Sequence, residues 1–302
     1  MPTVTKVDQA ELFASPLGVA FMDWLQYLKR IIDFDQVVSR SVRNLIPTAP
    51  VIAFLGKLFN KVTDEQRIEI EHGIALGKHE IDTDFEFMHA LLLIAAWGSF
   101  EAFVDDACVG LLQTQPELLD TKPFANVKIP PSVLLLVPGE QMTQILEQAK
   151  SRLSTALKNG VGKFESQLEL VGLDGQGDIS DELRDAIFYT QQIRNVWAHK
   201  GGRADKRFIE KCPALGYGLG DTVAISTEST ATHLRALMVY GMLIMNRYLA
   251  ASGIPPMPWP DHDPDGPFSD PYAKQWGPMQ QAPVTGWWAA DPATGEPLNP
   301  DA

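Results

Sequence analysis

The stretch Phe85–Leu119, FEFMHALLLIAAWGSFEAFVDDACVGLLQTQPELL, decides the fold class of this chain. It is long and rich in apolar residues, which predicts a helix that packs at the centre of a helical bundle. Its last turns carry Glu101, Asp105 and Asp106. These carboxylates are candidates for a metal-binding face or a general base, and equally for a solvated or arginine-paired face.

Upstream of this stretch, apolar residues recur at helical spacing and predict an amphipathic helix over Pro16–Asn44. Pro47 and Pro50 are expected to end this helix, because proline lacks a backbone N–H and crowds the preceding turn. A second helix is expected over residues 51–61, and a third begins near Asp64.

Downstream, the same periodicity predicts helices over Gly139–Asn159, Phe164–Leu173, Ser180 to about Gly202, Ala204–Lys211 and Glu228–Leu249. Thr222–Ser226 has a strand-like pattern, and we expect it to pair with Leu215–Leu219 in a small β-hairpin before the last core helix. Because helices dominate throughout, the sequence predicts an all-α bundle.

Composition divides the chain into an N-terminal helical extension (residues 1–81), a helical bundle (82–250) and an acidic, irregular C-terminal arm (251–302). The arm holds 12 of the 22 prolines and four of the seven tryptophans, and its net charge is −6. Such a composition disfavours helix and sheet. Its aromatic content leaves three roles open: packing against its own bundle, docking on a partner, or lying over a basic surface and restraining it.

The charge balance disfavours two classes of protein. Lys and Arg number 25 and Asp and Glu 38, which gives a net charge of −13. Nonspecific coating of nucleic acid and binding to anionic membranes both depend on excess positive charge. Cys108 and Cys212 are too few for a disulfide scaffold or a cysteine-rich zinc site, so free thiols are expected. The N-terminus lacks a signal-peptide pattern, and apolar runs such as Ala90–Trp97 are short, so we expect a cytoplasmic protein without a membrane partner.

Motifs for nucleotide hydrolysis, serine hydrolysis and zinc proteolysis are absent from the sequence. His72, His79 and His89 lie near glutamates and are either transition-metal ligands or ordinary surface residues. Asp261–Gly266 begins like a calcium loop, but Tyr272 stands at its twelfth position and prolines flank it. We therefore expect neither a metal nor another cofactor.

The segment 191–202, QQIRNVWAHKGG, carries the one set of residues that suggests chemistry. It ends a predicted helix and places Arg194, Asn195 and His199 within two turns, followed by two glycines that suit a left-handed C-terminal cap. On a regular helix Asn195 and His199 are i,i+4 neighbours, whereas Arg194 and His199 converge only if the helix unwinds at its end.

The charges around this segment favour an anionic ligand. Residues 194–211 contain six basic and two acidic side chains, a net charge of +4 within an acidic chain. The candidate contacts to the ligand are Lys200, Arg203, Lys206 and Arg207. The spacing alone is a weak signal, because Arg67 and His72 repeat it in a predicted surface helix.

Arg194, Asn195 and His199 resemble the R-N-x-x-x-H motif of the HEPN superfamily, a group of helical-bundle proteins whose ribonuclease members carry Arg, a polar residue and His at this spacing. The resemblance continues through residues 199–208, a glycine-rich turn, a strand and a final helix, as at the end of HEPN domains of the RiboL-PSP type. Lys200 departs from these relatives, in which an Asn often follows the His.

Upstream, residues 97–103, WGSFEAF, resemble an early bundle helix of these domains, with the acidic Glu101 near the site. The resemblance covers about residues 82–250. It implies an HEPN-like helical bundle and leaves residues 1–81 and 251–302 unexplained.

The resemblance implies metal-independent cleavage of RNA by a homodimer, in which two motif helices form one composite cleft. RNA supplies its own nucleophile, the 2′-hydroxyl, histidine exchanges protons near neutral pH, and arginine holds the charge of the phosphorane. A two-fold axis then provides an acid, a base and two arginines. The products are a 2′,3′-cyclic phosphate and a 5′-hydroxyl. Asn195 is expected to orient the His or the phosphate, Glu101 to orient Arg194, and the four basic candidates to bind RNA.

In this superfamily such enzymes often serve as toxins or abortive-infection effectors against phage, which implies an antitoxin or regulatory protein as a further partner. A second hypothesis is a non-catalytic helical module that binds RNA or a protein. The intact Arg194–Asn195–His199 set favours the enzyme, because a structural module does not need it. A strict monomer would favour the module.

Overall fold

The computed structural model describes residues 14–58, 63–153, 159–175 and 179–254. Over these residues the chain is mostly helical and forms no β-strand, in agreement with the predicted all-α class. The α-helices are α1 (Pro16–Leu58), α2 (Asp64–Asp82), α3 (Glu86–Thr114), α4 (Pro138–Lys150), α5 (Val161–Leu168), α6 (Asp181–Lys200), α7 (Lys206–Lys211) and α8 (Thr227–Ala251). Almost all of the C-terminal arm, with the loop that begins like a calcium loop, lies outside the described residues. The roles considered for the arm and the expectation that the loop binds no metal therefore stay predictions.

The apolar helix α3 lies at the centre of the bundle, as predicted. It packs against α1, α4, α5, α6 and α8. Aromatic rings meet at Phe100, whose ring centroid lies 5.3 Å from that of Trp24 in α1, 4.9 Å from Phe164 in α5 and 5.6 Å from Tyr240 in α8. These contacts place α5 and α8 against the middle of α3, next to Glu101.

By length and composition, α3 is also the one helix in the described part of the chain that is apolar enough to cross a membrane. Half of its most apolar window is buried inside the bundle. A buried core helix meets the same criteria as a membrane span, and the packing of α3 on five other helices fits that explanation. The cytoplasmic location stays a prediction.

The prediction that Pro47 and Pro50 end the first helix is wrong, because α1 continues through both prolines to Leu58. A proline inside a helix costs about 3 kcal/mol, since it removes a hydrogen bond and crowds the preceding turn. α2 packs against α1 just before these prolines. The two helices approach closely at Gly77, where a Cβ would lie 2.3 Å from Cδ1 of Ile46.

The first half of α1 belongs to the same hydrophobic core as α3 and α8. Its buried side chains are Leu17, Ala20, Phe21, Trp24, Leu28 and Ile31. Gly241 of α8 permits close contact here, since a Cβ at that position would lie 2.4 Å from the ring of Trp24. The boundary at residue 81 stays a prediction of chain organisation, and it does not separate two cores.

The predicted β-hairpin before the last helix is wrong. Thr222 forms a single antiparallel bridge with Arg203, just after α6, instead of pairing with Leu215–Leu219. Gly216 and Gly220 adopt left-handed backbone conformations with φ of 72° and 85°. Such conformations interrupt an extended strand, so the segment forms a turn and leaves Thr222 to pair elsewhere.

A second, smaller core supports the C-terminal half of α6. Ile193 and Val196 of α6 pack with Ala90 and Leu93 of α3 and with Phe208 of α7. This cluster holds one side of α6 inward. The predicted site residues lie on the remaining sides of its last two turns, with Arg194 beside Glu101 of α3 and His199 exposed to solvent.

A buried hydrogen bond joins α6 to α8. Nδ1 of His233 lies 2.8 Å from Oγ1 of Thr190, and the Thr190 hydroxyl donates to the carbonyl oxygen of Ala186, so the imidazole donates to the hydroxyl. Burial lowers the pKa of His233 to about 4, because the charged imidazolium loses its hydration there.

We therefore expect the stability of the fold to fall between about pH 6.5 and pH 4. In this window the unfolded chain binds a proton at His233 that the folded chain does not, so acid favours unfolding by up to roughly 3 kcal/mol. Outside the window both states carry the same charge at this residue. Urea unfolding at neutral and acid pH measures the effect. His233→Gln should lose less stability on acidification than wild type. His72→Gln, at an exposed position, should lose as much stability as wild type. Equal losses in His233→Gln and wild type would contradict the assignment.

Candidate functional site

The end of α6 is built by local sequence signals. Ser180 caps the start of the helix, and Gly201 and Gly202 follow its end with φ of 57° and 76°. The N–H of Gly202 donates to the carbonyl oxygen of Val196 at 3.3 Å, which completes the predicted left-handed cap. A side chain at Gly202 would collide with the ring of Trp197, 2.8 Å away.

The helix stays regular through Lys200, so the unwinding that would bring Arg194 and His199 together does not occur. Five residues at helical spacing separate the directions of these two side chains by about 140°. Asn195 lies between them, within about 40° of His199. Asn195 and His199 therefore share one side of the helix end, and Arg194 lies on a different side.

Arg194 lies on the side of α6 that faces α3. Its Nη1 donates to Oδ1 of Asn195 at 3.0 Å, and its Nη2 lies 3.8 Å from Oε2 of Glu101. Its Nε is buried and has no hydrogen-bond partner among the described residues. The side chain is 22% exposed. The guanidinium is therefore positioned by two neighbours and still reaches the surface.

Glu101 binds two groups besides Arg194. Its Oε1 accepts a hydrogen bond from Nε1 of Trp97 at 2.8 Å, and Nζ of Lys163 in α5 donates to the same oxygen. The Trp97 contact is an i,i+4 pair that helical spacing alone suggests. Lys163 is a residue that sequence reasoning missed. It lies 62 positions from Glu101, and no sequence signal identifies it, because its place depends on how α5 packs against α3.

His199 lies at the exposed end of α6, in an open groove between α6 and α7. The groove is lined by Gln192, Asn195, Val196, His199, Lys200, Asp205, Arg207 and Phe208. Arg194 does not line it. One chain thus brings His199 and Asn195 together with two basic side chains, while Arg194 lies on a different side of the helix, beside Glu101.

Two of the four basic candidates lie in this groove. Nζ of Lys200 lies 3.9 Å from Oδ2 of Asp205, and Arg207 is exposed nearby. Partial burial, followed by the positive charge of Arg207, lowers the pKa of Lys211 one turn further along α7. Arg207 and Lys211 therefore lie close enough for their positive charges to interact.

Arg203 and Lys206, the other two basic candidates, do not line the groove. Nη1 of Arg203 donates to the carbonyl oxygen of Gly220 at 3.3 Å, and Lys206 pairs with Glu210 at 3.8 Å on the exposed surface of α7. Arg203 thereby helps to close the turn before α8. Their contribution to RNA binding stays a prediction.

Several candidate metal ligands are engaged in protein contacts. Asp105 accepts a hydrogen bond from Nζ of Lys150 at 2.8 Å, and burial, with the charge of Asp105, raises the pKa of Asp106. The interpretation of His89 as a surface residue is wrong, because it is buried with its Nε2 3.3 Å from Oδ1 of Asp35. In the part of the chain that the structure describes, no three His, Cys, Asp or Glu side chains gather as a metal site.

Both cysteines are free and buried, as expected. Burial raises the pKa of Cys108 to about 12 and that of Cys212 to about 11. Neither side chain is a thiolate at neutral pH, so neither is poised as a nucleophile.

Comparisons with protein-family models, curated proteins and solved structures find no match for this chain. A function is therefore inferred from the residues at the end of α6 and their contacts. Of the predicted site residues, Arg194 donates a hydrogen bond to Asn195 and lies 3.8 Å from Glu101, and His199 lies beside Asn195 in the groove.

Proposed function

We propose that this protein is a metal-independent RNA endonuclease of the HEPN type. The observation that carries the proposal is the intact Arg194–Asn195–His199 set at the ordered end of α6, with His199 open to solvent in a groove beside Lys200 and Arg207. An exposed imidazole next to two cations suits an anionic substrate whose cleavage needs proton transfer.

The 2′-hydroxyl of RNA is the nucleophile. His199 takes its proton, or gives a proton to the leaving 5′-oxygen, while the 2′-oxygen bonds to phosphorus and the bond from phosphorus to the 5′-oxygen breaks. Arg194 stabilises the extra negative charge on the phosphorane. Asn195, whose oxygen accepts a hydrogen bond from Arg194, orients the guanidinium. The products are a 2′,3′-cyclic phosphate and a 5′-hydroxyl.

A homodimer with a composite cleft supplies what one chain lacks. Within one chain Arg194 and His199 point about 140° apart, so a second copy, related by a two-fold axis, is needed to bring an arginine opposite each histidine. Phe87 and Leu91 support a protein contact near this site. Both are large and at least half exposed, and helical spacing places them within about 40° and about 80° of Glu101 around α3.

The biological role follows from the resemblance alone. An RNA endonuclease of this kind acts in the cytoplasm as a toxin or abortive-infection effector against phage, with an antitoxin or regulatory protein that restrains it. An HEPN-like arrangement of the bundle over residues 82–250 is part of the same proposal.

A non-catalytic module that binds RNA or a protein is the second candidate. The observation that favours it is the separation of Arg194, which is turned toward Glu101, from the groove that holds His199. If the protein is a monomer in solution, this separation persists and the module is the better description.

Induced expression of the wild-type protein in cells is expected to arrest growth and to fragment total RNA. Arg194→Ala and His199→Ala should do neither, because each removes one of the two groups that the chemistry requires. Matched controls are Arg67→Ala and His72→Ala, which repeat the same spacing on the exposed surface of α2 and should behave like wild type.

Two outcomes would overturn the proposal. If Arg194→Ala and His199→Ala are as toxic as wild type, the site is elsewhere. If the wild type is harmless and the purified protein leaves RNA intact, the non-catalytic module replaces the enzyme.

A further inference from the structure

The carboxylate of Glu101 lies between two cations from different helices. Lys163 from α5 donates to its Oε1, which also accepts the indole N–H of Trp97. Arg194 from α6 approaches the other oxygen, Oε2, at 3.8 Å. One negative charge thus faces two positive charges, and the two cations compete for it.

Lys163 makes a closer contact with the Glu101 carboxylate than Arg194 does. A separation of 3.8 Å is too long for a hydrogen bond between Arg194 and Glu101, whereas Lys163 makes a direct one. The carboxylate is therefore neutralised mainly from α5. Asn195 and the weaker attraction of Glu101 orient the Arg194 guanidinium. The guanidinium does not form a bidentate ion pair with Glu101, so its positive charge is not neutralised there.

We propose that Lys163 is a positioning residue that holds the carboxylate of Glu101 away from Arg194 and so keeps the Arg194 guanidinium available to the RNA phosphate. The inference rests on the proposed ribonuclease function. Lys163 acts here through Glu101, and it need not touch the RNA.

Removing the ammonium of Lys163 frees Glu101 for its other neighbour. In Lys163→Met the carboxylate has lost its closest cation. A shift of Oε2 by about 1 Å then brings it within hydrogen-bond distance of Arg194. A bidentate Arg–carboxylate pair then forms, which is the strongest pairing open to these two groups. Arg194 becomes locked, and its charge is cancelled where the phosphate must bind.

The test is a double-mutant cycle on RNA cleavage. Lys163→Met should lower kcat/KM by roughly 10–100-fold, the usual effect of a small misplacement of a reacting group. Glu101→Gln removes the competing charge, so Lys163→Met/Glu101→Gln should cleave as fast as Glu101→Gln alone. Lys163→Arg, which keeps the charge, should stay close to wild type.

Lys150 provides the matched control. It pairs with Asp105, one turn further along α3, at 2.8 Å, and its side chain is partly exposed like that of Lys163. Lys150→Met should leave kcat/KM unchanged if the effect is specific to Glu101. Thermal unfolding of each variant shows whether it folds, and methionine keeps the apolar stem of lysine in place.

A second readout does not depend on cleavage. In protein labelled with ¹⁵N-arginine, the Nε–H signal of Arg194, assigned with Arg194→Lys, should shift in Lys163→Met and return in Lys163→Met/Glu101→Gln. A shift without ribonuclease activity in the wild type would overturn the proposed function and leave the coupling between the two cations standing.

Two results would overturn the inference itself. One is an active wild type with unchanged cleavage and an unshifted Arg194 signal in Lys163→Met. The other is a loss of cleavage in Lys163→Met that Glu101→Gln does not reverse, since this would assign Lys163 a direct contact with the RNA.

Discussion

His199→Ala is expected to slow RNA cleavage by a factor of about 10²–10⁴, the usual contribution of a positioned acid or base. The side chain is exposed and lies at the end of α6, so its loss creates no cavity. The substitution removes at most a favourable interaction with the helix dipole, worth about 1 kcal/mol. A loss of rate in a folded variant therefore reports on chemistry. Initial rates on end-labelled RNA measure it, with His72→Ala as the matched control.

The composite cleft also predicts how fast dimers of one wild-type chain and one His199→Ala chain cleave RNA. If the cleft needs one His199 from each chain, a dimer with a single His199→Ala subunit is inactive. Random exchange of subunits then gives a rate proportional to the square of the wild-type fraction, so an equal mixture keeps about a quarter of the wild-type rate. Independent sites in each chain keep about half. A linear dependence on the wild-type fraction would contradict a cleft that needs both histidines, and a monomer by sedimentation would contradict any composite cleft.

The sequence predicted those parts of the fold that local patterns determine. α3, α6 and α8 lie where apolar periodicity placed them, and the glycines after Lys200 form the expected cap. The errors arose where distant packing outweighs a local signal. Pro47 and Pro50 remain inside α1, which contacts α2 just before them at Ile46, and Thr222 pairs with the chain after α6 instead of with its nearer neighbours.

The same division applies to the candidate site. Arg194, Asn195 and His199 are adjacent in sequence, so a single motif identifies them. Glu101 was expected near Arg194 from the resemblance, and the structure brings the two within 3.8 Å. Lys163 stayed unrecognised, because an ion pair between α3 and α5 depends on the crossing of two helices that no local spacing encodes.

Substitution of Glu165 is expected to have the largest effect on stability. Glu165 is a buried charged residue in α5 that no sequence motif indicated. Its Oε1 accepts hydrogen bonds from Nη1 of Arg247, at 2.9 Å, and from the hydroxyl of Tyr240, both in α8. Its Oε2 accepts the N–H of Gly175 at 3.0 Å. Arg247 also donates to the carbonyl oxygens of Leu173 and Gly175, both at 3.1 Å. Both carboxylate oxygens of Glu165 and the guanidinium of Arg247 thus make hydrogen bonds within the protein.

Glu165→Gln should lower the free energy of unfolding by about 3–5 kcal/mol, because it leaves the charge of Arg247 buried without a counter-ion. That loss is a large part of the 5–15 kcal/mol by which a typical domain is stable. Glu165→Leu/Arg247→Met removes both charges and should lose much less than the sum of the two single changes. Urea unfolding followed by circular dichroism measures the cycle, and Glu169→Gln, exposed one turn later, should stay within about 0.5 kcal/mol of wild type.

The same network links stability to the site, because α5 has only eight residues and carries both Glu165 and Lys163. Glu165 anchors one side of this helix to α8, and Lys163 extends from the preceding half-turn to Glu101 on α3. Glu165→Gln at a temperature where it remains folded should therefore also disturb the Arg194 signal, whereas Glu169→Gln should not. Additive losses in the Glu165 and Arg247 cycle, or a Glu165→Gln protein as stable as wild type, would mean that aromatic packing around Phe164 alone holds α5 in place.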